Sequence, residues 1–303
     1  MTATNQSPDD DPSPTTAQHD AARQALDAYM QDKLGAASEC LGRWKREQCC
    51  DKSRFLYCPE CCSLLVPPSD RPVGFSKPLP FDIHFILDDR RGSSTGVQLM
   101  ALFQSMMQEE EEESDNKHST IQMFDITEHS QDIPPYEENA EYREGTYLLF
   151  PGEGSVPLSS VLNNNANDNN KNPLKTLVLM DCKWSRPSSR FHPSIASLPK
   201  VSLDHPPEKS YYWRWHNTGA GMLSTVEALF FASWQICSSS SSSIGKWTQD
   251  QCQEELVRLL WLFRLQRTII QTKYDNNEVN RCNPYAPFTE EGKQFSRLLR
   301  KQK

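Results

Sequence analysis

LKTLVLMDCKWSR, Leu174 to Arg186, is an apolar run that stops on an aspartate and, three residues later, a tryptophan. Leu177, Val178, Leu179 and Met180 do not alternate with polar residues, so they predict a central strand covered on both faces, as in an α/β parallel sheet. Asp181 then falls at the carboxyl end of that strand. Open α/β sheets bind ligands in the crevice beyond their strand ends. Asp181 and Trp184 are therefore candidate site residues. The competing reading is local: Asp181 caps the next turn and Trp184 fills core.

Outward from this stretch, LPFDIHFIL (79–87) reads as the first main strand, ending at Asp88 and Asp89. Gly92 to Gly96 is a small-residue turn that opens a helix bearing Val97, Leu99, Met100, Leu102 and Phe103, and the free amides of that helix start can meet an anion. The Gly-x4-Gly-Lys spacing of a Walker loop is absent. IQMFDI (121–126) reads as a short strand, and GTYLLFPGEG (145–154) as a strand ending in a proline and glycine turn where backbone can approach a ligand. Downstream, Tyr211, Tyr212, Trp213 and Trp215 suggest another strand and Gly219 and Gly221 a loop. Ser224-Thr225-Val226-Glu227 has the S-x-x-E form of a capping box, so its residues serve as caps or as ligand contacts. Gln249 to Tyr274 has the apolar spacing of one amphipathic helix.

The amino-terminal side has a different character. Residues 1–16 are polar and proline-bearing and read as a disordered tail, and 17–39 as a peripheral helix. Residues 40–68 form a cysteine-rich module, in which a C-x7-C-x2-C spacing at Cys50, Cys58 and Cys61 suits a zinc knuckle. The fourth thiolate would come from Cys49, with Cys62 or Cys40 as alternatives. Arg43, Lys45, Arg46, Lys52 and Arg54 are interleaved there with Trp44, Phe55 and Tyr57, a mixture that suits an RNA backbone with unpaired bases, or a solvated loop face. Residues 69–280 read as one catalytic-sized domain with low-complexity insertions at 108–119, 163–173 and 238–243, and 281–303 as a basic tail. A net charge of -8 does not advertise a nucleic-acid binder, so any such partner depends on local basic patches. Ten cysteines in 303 residues are too sparse for a disulfide scaffold. Neither a membrane span nor a signal peptide is legible, which gives the expectation of a soluble intracellular protein of the nucleus or cytoplasm.

Several of these pieces, in this order, resemble the DTW-domain family of tRNA-uridine aminocarboxypropyltransferases, in its animal-type branch. They are YCPEC (57–61), LPFDIHFIL and GSSTG (79–96), LLFPG (148–152), LVLMDCKW (177–184) and WRWHNTGAGMLSTVEALFF (213–231). Lys183 stands where the family's signature has threonine or serine, Ser93 where a lysine is common, and Glu47 in the place of a knuckle cysteine. The resemblance implies a SPOUT-like, knotted parallel sheet flanked by helices. It implies transfer of the 3-amino-3-carboxypropyl group of S-adenosylmethionine to N3 of a tRNA uridine, with Asp181 and Trp184 catalytic. It further implies a cofactor cradle from Phe150, Pro151 and Gly152 and from Gly221, Leu223, Ser224 and Thr225, with zinc as a structural metal. Two rival readings are an RNA-binding protein without catalysis, suggested by Lys183 and the basic knuckle, and a SPOUT-type methyltransferase.

Overall fold

The structure, a computed structural model, describes residues 14–31, 44–108, 119–127, 133, 136, 143–167, 174–183, 191–208, 210–213, 221–239, 247–273, 290 and 293–294. Their strands are β1 (Glu47–Cys49), β2 (Lys52–Arg54), β3 (Asp82–Leu87), β4 (Ile121–Asp125), β5 (Thr146–Leu149), β6 (Val156–Pro157), β7 (Thr176–Asp181) and β8 (Lys200–Ser202). Their helices are α1 (Pro14–Gln31), α2 (Thr95–Gln108), α3 (Leu158–Asn167), α4 (Pro193–Ala196), α5 (Thr225–Ser238), α6 (Gln249–Leu256) and α7 (Trp261–Lys273).

Six strands form one sheet in the order β4-β3-β7-β5-β8-β6, every neighbouring pair parallel. The expected α/β architecture is present. β7 is slotted between β3 and β5, both of which precede it in the chain. From β3 the chain goes on to β4 on one side, and from β7 to β8 on the other, so the winding reverses between β3 and β7. That reversal is where an open α/β sheet forms its crevice. The β6 edge does not invite extension: β6 is two residues long and ends in Pro157, which has no amide to donate.

The run without alternation in β7 is explained by burial on both faces. Leu177 and Leu179, with Ile83, Phe85 and Leu87 of β3, enter the main core, which α1, α2, α3, α5, α6 and α7 cover. Val178 and Ile86 point the other way, into a smaller cluster with Tyr136, Leu148, Phe191, Ile195 and Leu198. His84 lies on that second face, its Nδ1 2.8 Å from the Tyr136 hydroxyl and its ring edge-on to Phe124. Burial pushes its pKa down to about 4, which keeps the imidazole neutral.

Several sequence expectations are corrected. The helix expected over 17–39 is not peripheral: α1 starts at Pro14 and buries Ala21, Ala22, Ala25, Leu26 and Met30 in the main core. The helix expected over 249–274 is broken by a 3-10 turn at Val257–Leu260, and Tyr274 lies outside the described residues. The asparagine run is helical as far as Asn167, as part of α3. Tyr211 to Trp213 form no strand. β8 and α4 were not anticipated. No described helix is long and apolar enough to cross a membrane.

β1 and β2 make an antiparallel hairpin whose two turn residues, Cys50 and Asp51, have φ of 49° and 59°, the left-handed pair that matches a two-residue hairpin to strand twist. After it, Cys58 N–H donates to Ser63 O at 2.9 Å and closes the C-x-x-C turn. Leu56, Leu64 and Val66 then enter the main core. Arg71 adds a second anchor, donating to Val66 O at 2.8 Å and to the Ser105 hydroxyl of α2 at 3.2 Å.

Candidate functional site

Asp181 is two residues beyond Leu179, so by strand alternation its side chain faces the helical layer, where α2 and α5 begin. Its Oδ2 accepts hydrogen bonds from the Ser94 hydroxyl at 2.7 Å and from Gly96 N–H at 2.6 Å, and the Thr225 hydroxyl also bonds to the carboxylate. Ser94 Oγ in turn accepts from Val97 N–H at 2.9 Å and so caps α2. A Cβ on Gly96 would lie 2.6 Å from Oδ2, which is why that position has no side chain. Burial pushes the Asp181 pKa up, against the pull of the Ser94, Gly96 and Thr225 donors. The place expected for an anion at the start of α2 is therefore filled by the chain's own Asp181 side chain, at the amino-terminal ends of two helices.

A second carboxylate organises the approach to α5. The capping box is formed: Glu227 N–H donates to Ser224 Oγ, while Glu227 Oε2 accepts from Ser224 N–H at 3.0 Å. Glu227 is fully buried, and it also accepts from the hydroxyls of Ser224 at 2.6 Å and Ser210 at 2.7 Å and from Tyr211 N–H at 2.7 Å. Tyr212 N–H donates to Ser210 Oγ at 3.0 Å. The amides that would have joined a strand ladder are spent on this cluster, which is the physical reason the aromatic run is not a strand. The Arg267 guanidinium lies 4.7 Å from the centre of the Tyr211 ring. Burial lowers Arg267 to about 10, opposed by the charge of Glu227, and burial raises Glu227.

The structure thus brings together Asp181 and Thr225 directly, with Ser224 next to them as a helix cap. Phe150, Pro151 and Gly152 follow β5 at the same carboxyl edge of the sheet. Phe150 is half-buried and edge-on to Phe191 at 4.8 Å, while Pro151 and Gly152 are exposed. Gly221 has φ 79° and so occupies a conformation open to glycine. Leu223 packs against the main core. Trp184 lies outside the described residues, as do residues 214–220. The sequence reading did not pair Asp181 with Ser94 and Gly96; the Ser-x-x-Val spacing of a cap before α2 was the signal available.

The four thiols of Cys49, Cys50, Cys58 and Cys61 lie within 4.8 Å of one another, Cys49 and Cys61 at 3.4 Å. Thiolates around a tetrahedral zinc stand about 3.8 Å apart, given Zn–S bonds of about 2.3 Å, so the donor set fits the ion. Cys49 is the fourth member. Cys62, with φ 56°, turns into the core instead, and Cys40 lies outside the described residues. The Ser63 hydroxyl, 3.3 Å from Cys61 Sγ, pulls that thiol down to about 6, and sharing a hydrogen bond with Cys61 pushes Cys49 up to about 12.

The basic residues of the hairpin are largely engaged with their own module. Arg54 pairs with Glu60 at 3.1 Å and Lys52 with the same carboxylate at 3.9 Å. Arg46 donates to the Ser53 hydroxyl at 3.0 Å and carbonyl at 2.7 Å. Lys45 is exposed, and Arg43 lies outside the described residues. Trp44 is fixed by Asp70, its indole N–H donating at 2.7 Å.

The profile of the DTW domain matches residues 56–264, from Leu56 through the sheet to Arg264 of α7. The matched stretch includes Cys58 and Cys61 but not the hairpin cysteines Cys49 and Cys50. No curated protein and no solved structure matches the chain. A DTW domain is consistent with tRNA modification. The match spans well over half of the 303 residues and includes every strand of the sheet and both helix starts at Asp181, so the chain belongs to the DTW-domain family.

Proposed function

We propose that this protein is a tRNA-uridine aminocarboxypropyltransferase, which moves the 3-amino-3-carboxypropyl group of S-adenosylmethionine to N3 of a tRNA uridine. The observation that carries the reading is the family match across the whole sheet, with the Asp-x-x-Trp sequence at the carboxyl end of the inserted strand. In the transfer, an N3–C bond forms as the C–S bond breaks. The electron pair leaves with sulfur as neutral methylthioadenosine, and the weakly acidic N3 gives up its proton. Phe150, Pro151, Gly152, Gly221 and Leu223 would supply backbone and apolar contacts to S-adenosylmethionine. Trp184 would offer a flat face to a ring or to the sulfonium.

Ser224, Thr225 and Asp181 would act by fixing the two helix starts that border this cradle. For Asp181 that positioning role is supported by its burial and by the donors already aimed at Oδ2; acceptance of the N3 proton is the competing role. A knot around β7 belongs to the same proposal and is supported by the insertion of that strand between two earlier ones. The tRNA would be met by the hairpin face that carries Lys45, Arg46, Lys52 and Arg54, in a soluble protein of the nucleus or cytoplasm.

Purified protein incubated with tRNA and S-adenosylmethionine should release methylthioadenosine and yield a modified uridine heavier by the aminocarboxypropyl group, in equal amounts. Release of S-adenosylhomocysteine with a methylated nucleoside would replace this reading with methyl transfer. Binding of tRNA with neither product would leave an RNA-binding role.

A further inference from the structure

Arg91 opens the turn between β3 and α2, and its guanidinium reaches back to the cysteine cluster. Nε donates to Pro59 O at 2.9 Å and one terminal nitrogen to Glu60 O at 3.0 Å, with Cys62 Sγ 3.7 Å away. Pro59 and Glu60 are the two residues between Cys58 and Cys61. The other terminal nitrogen pairs with Asp125 at the end of β4, at 2.5 Å. On the other side, the chain runs directly from Arg91 into the Asp181 site. Ser94 N–H donates to Arg91 O at 3.3 Å, Ser93 O accepts from the Tyr212 hydroxyl at 3.4 Å, and Ser94 and Gly96 hold the carboxylate.

The carbonyls that Arg91 reads belong to a turn that a metal would brace. Cys50, Asp51 and Cys62 all have left-handed backbone, a conformation unfavourable for residues with a Cβ, and the four thiols are crowded together. A bound ion would offset both costs by drawing the thiolates to one centre; without it the C-x-x-C turn is free to relax.

We propose that Arg91 is a positioning residue that makes the order of the Ser93–Val97 turn, and so the grip on Asp181, depend on metal in the four-cysteine cluster. With metal bound, the Pro59 and Glu60 carbonyls stand where the guanidinium meets both. With the metal removed they turn away, and the start of α2 loosens. The inference rests on the fit of the thiols to zinc and is independent of the reaction assigned to the site.

Hydrogen exchange of the full-length protein, with zinc bound and after chelation, tests it. Chelation should speed exchange at the amides of Ser93, Ser94, Gly96 and Val97 by about tenfold or more, the effect of losing roughly one charge-assisted hydrogen bond. Amides of β3 and α5 should keep their protection. Arg91→Met should give the same fast exchange with zinc bound, an unchanged zinc content and no further response to chelation. If Arg91→Met does not fold, Arg91→Lys, which keeps the charge facing Asp125 but cannot span both carbonyls, is read the same way. Failure to hold zinc, unchanged exchange at these amides after chelation, loss of protection throughout β3 and α5, or an arginine variant that responds as the parent does would each overturn the proposal.

Discussion

Asp181 and His84 show how much depends on what surrounds a titratable residue. For Asp181, Asn keeps the size and one acceptor but sets an amide donor among the Ser94, Gly96 and Thr225 donors, so Asp181→Asn should lower stability by about 1–2 kcal/mol. Turnover should then fall less than about tenfold; a loss of roughly 100-fold to 10,000-fold with stability intact would instead mark a general base. Methylthioadenosine release and urea unfolding on the same protein decide between these. For His84 the folded pKa of about 4 lies below its unfolded value, so the unfolded chain takes up the proton first as pH falls. The stability associated with neutral His84 is complete above about pH 6.5 and is lost as pH falls toward 4, by about 2 kcal/mol between pH 7 and 4.5. His84→Phe should remove that part of the acid sensitivity, seen as a shallower fall in urea midpoint over the same range. The position of Asp181 at a strand end was legible because an apolar run stopped there. Its partners were not, because Ser94 and Gly96 precede it by more than eighty positions and nothing local couples them. The thiol cluster was more legible, since two close cysteines and a C-x-x-C turn constrain one another by reach alone.

At the scale of elements, the capping box before α5 has a larger role than ending a helix neatly. Glu227 draws Ser210 and Tyr211 on one side and Ser224 on the other to a single carboxylate, so it closes the stems of the intervening segment. Glu227→Gln puts an amide donor among groups that are already donors and should cost about 2–4 kcal/mol. Ser224→Ala, which removes a cap and leaves the other acceptances, should cost only about 1 kcal/mol. Thermal and urea unfolding of the two variants will rank them; equal and small effects would mean that the carboxyl is already protonated. β3, β5 and β7 were readable because each is an apolar run ended by a turn signal. β8 was not, because three residues carry no period, and Pro199 and Lys200 do not advertise a strand. Tyr211 to Trp213 had the composition of a strand, but their amides were claimed by side chains. The break in the last helical segment has no proline or glycine to mark it.

Across the whole molecule, the net charge of -8 means that the proposed tRNA partner would have to be attracted by local basic patches. If four phosphates are contacted, tRNA affinity should fall by about a hundredfold between 50 and 200 mM salt, and Lys45→Glu should flatten that slope. A salt-independent affinity would exclude the hairpin face as the contact. The α/β class and the flanking helices were legible as a pattern of runs, whereas the strand order was not, since sequence gives no sign of which edges meet. That order has a consequence for how the chain reaches its form. β3 and β5 do not touch: both lie against β7, and Asp82 of β3 pairs with Thr176. Until the ribosome has released residues up to Asp181, β3 has only β4 beside it and β5 has no neighbour in the sheet, so the two edges that β7 will join stay unpaired. High contact order of this kind should make folding slow, and the strand edges left open meanwhile are the aggregation hazard that goes with it.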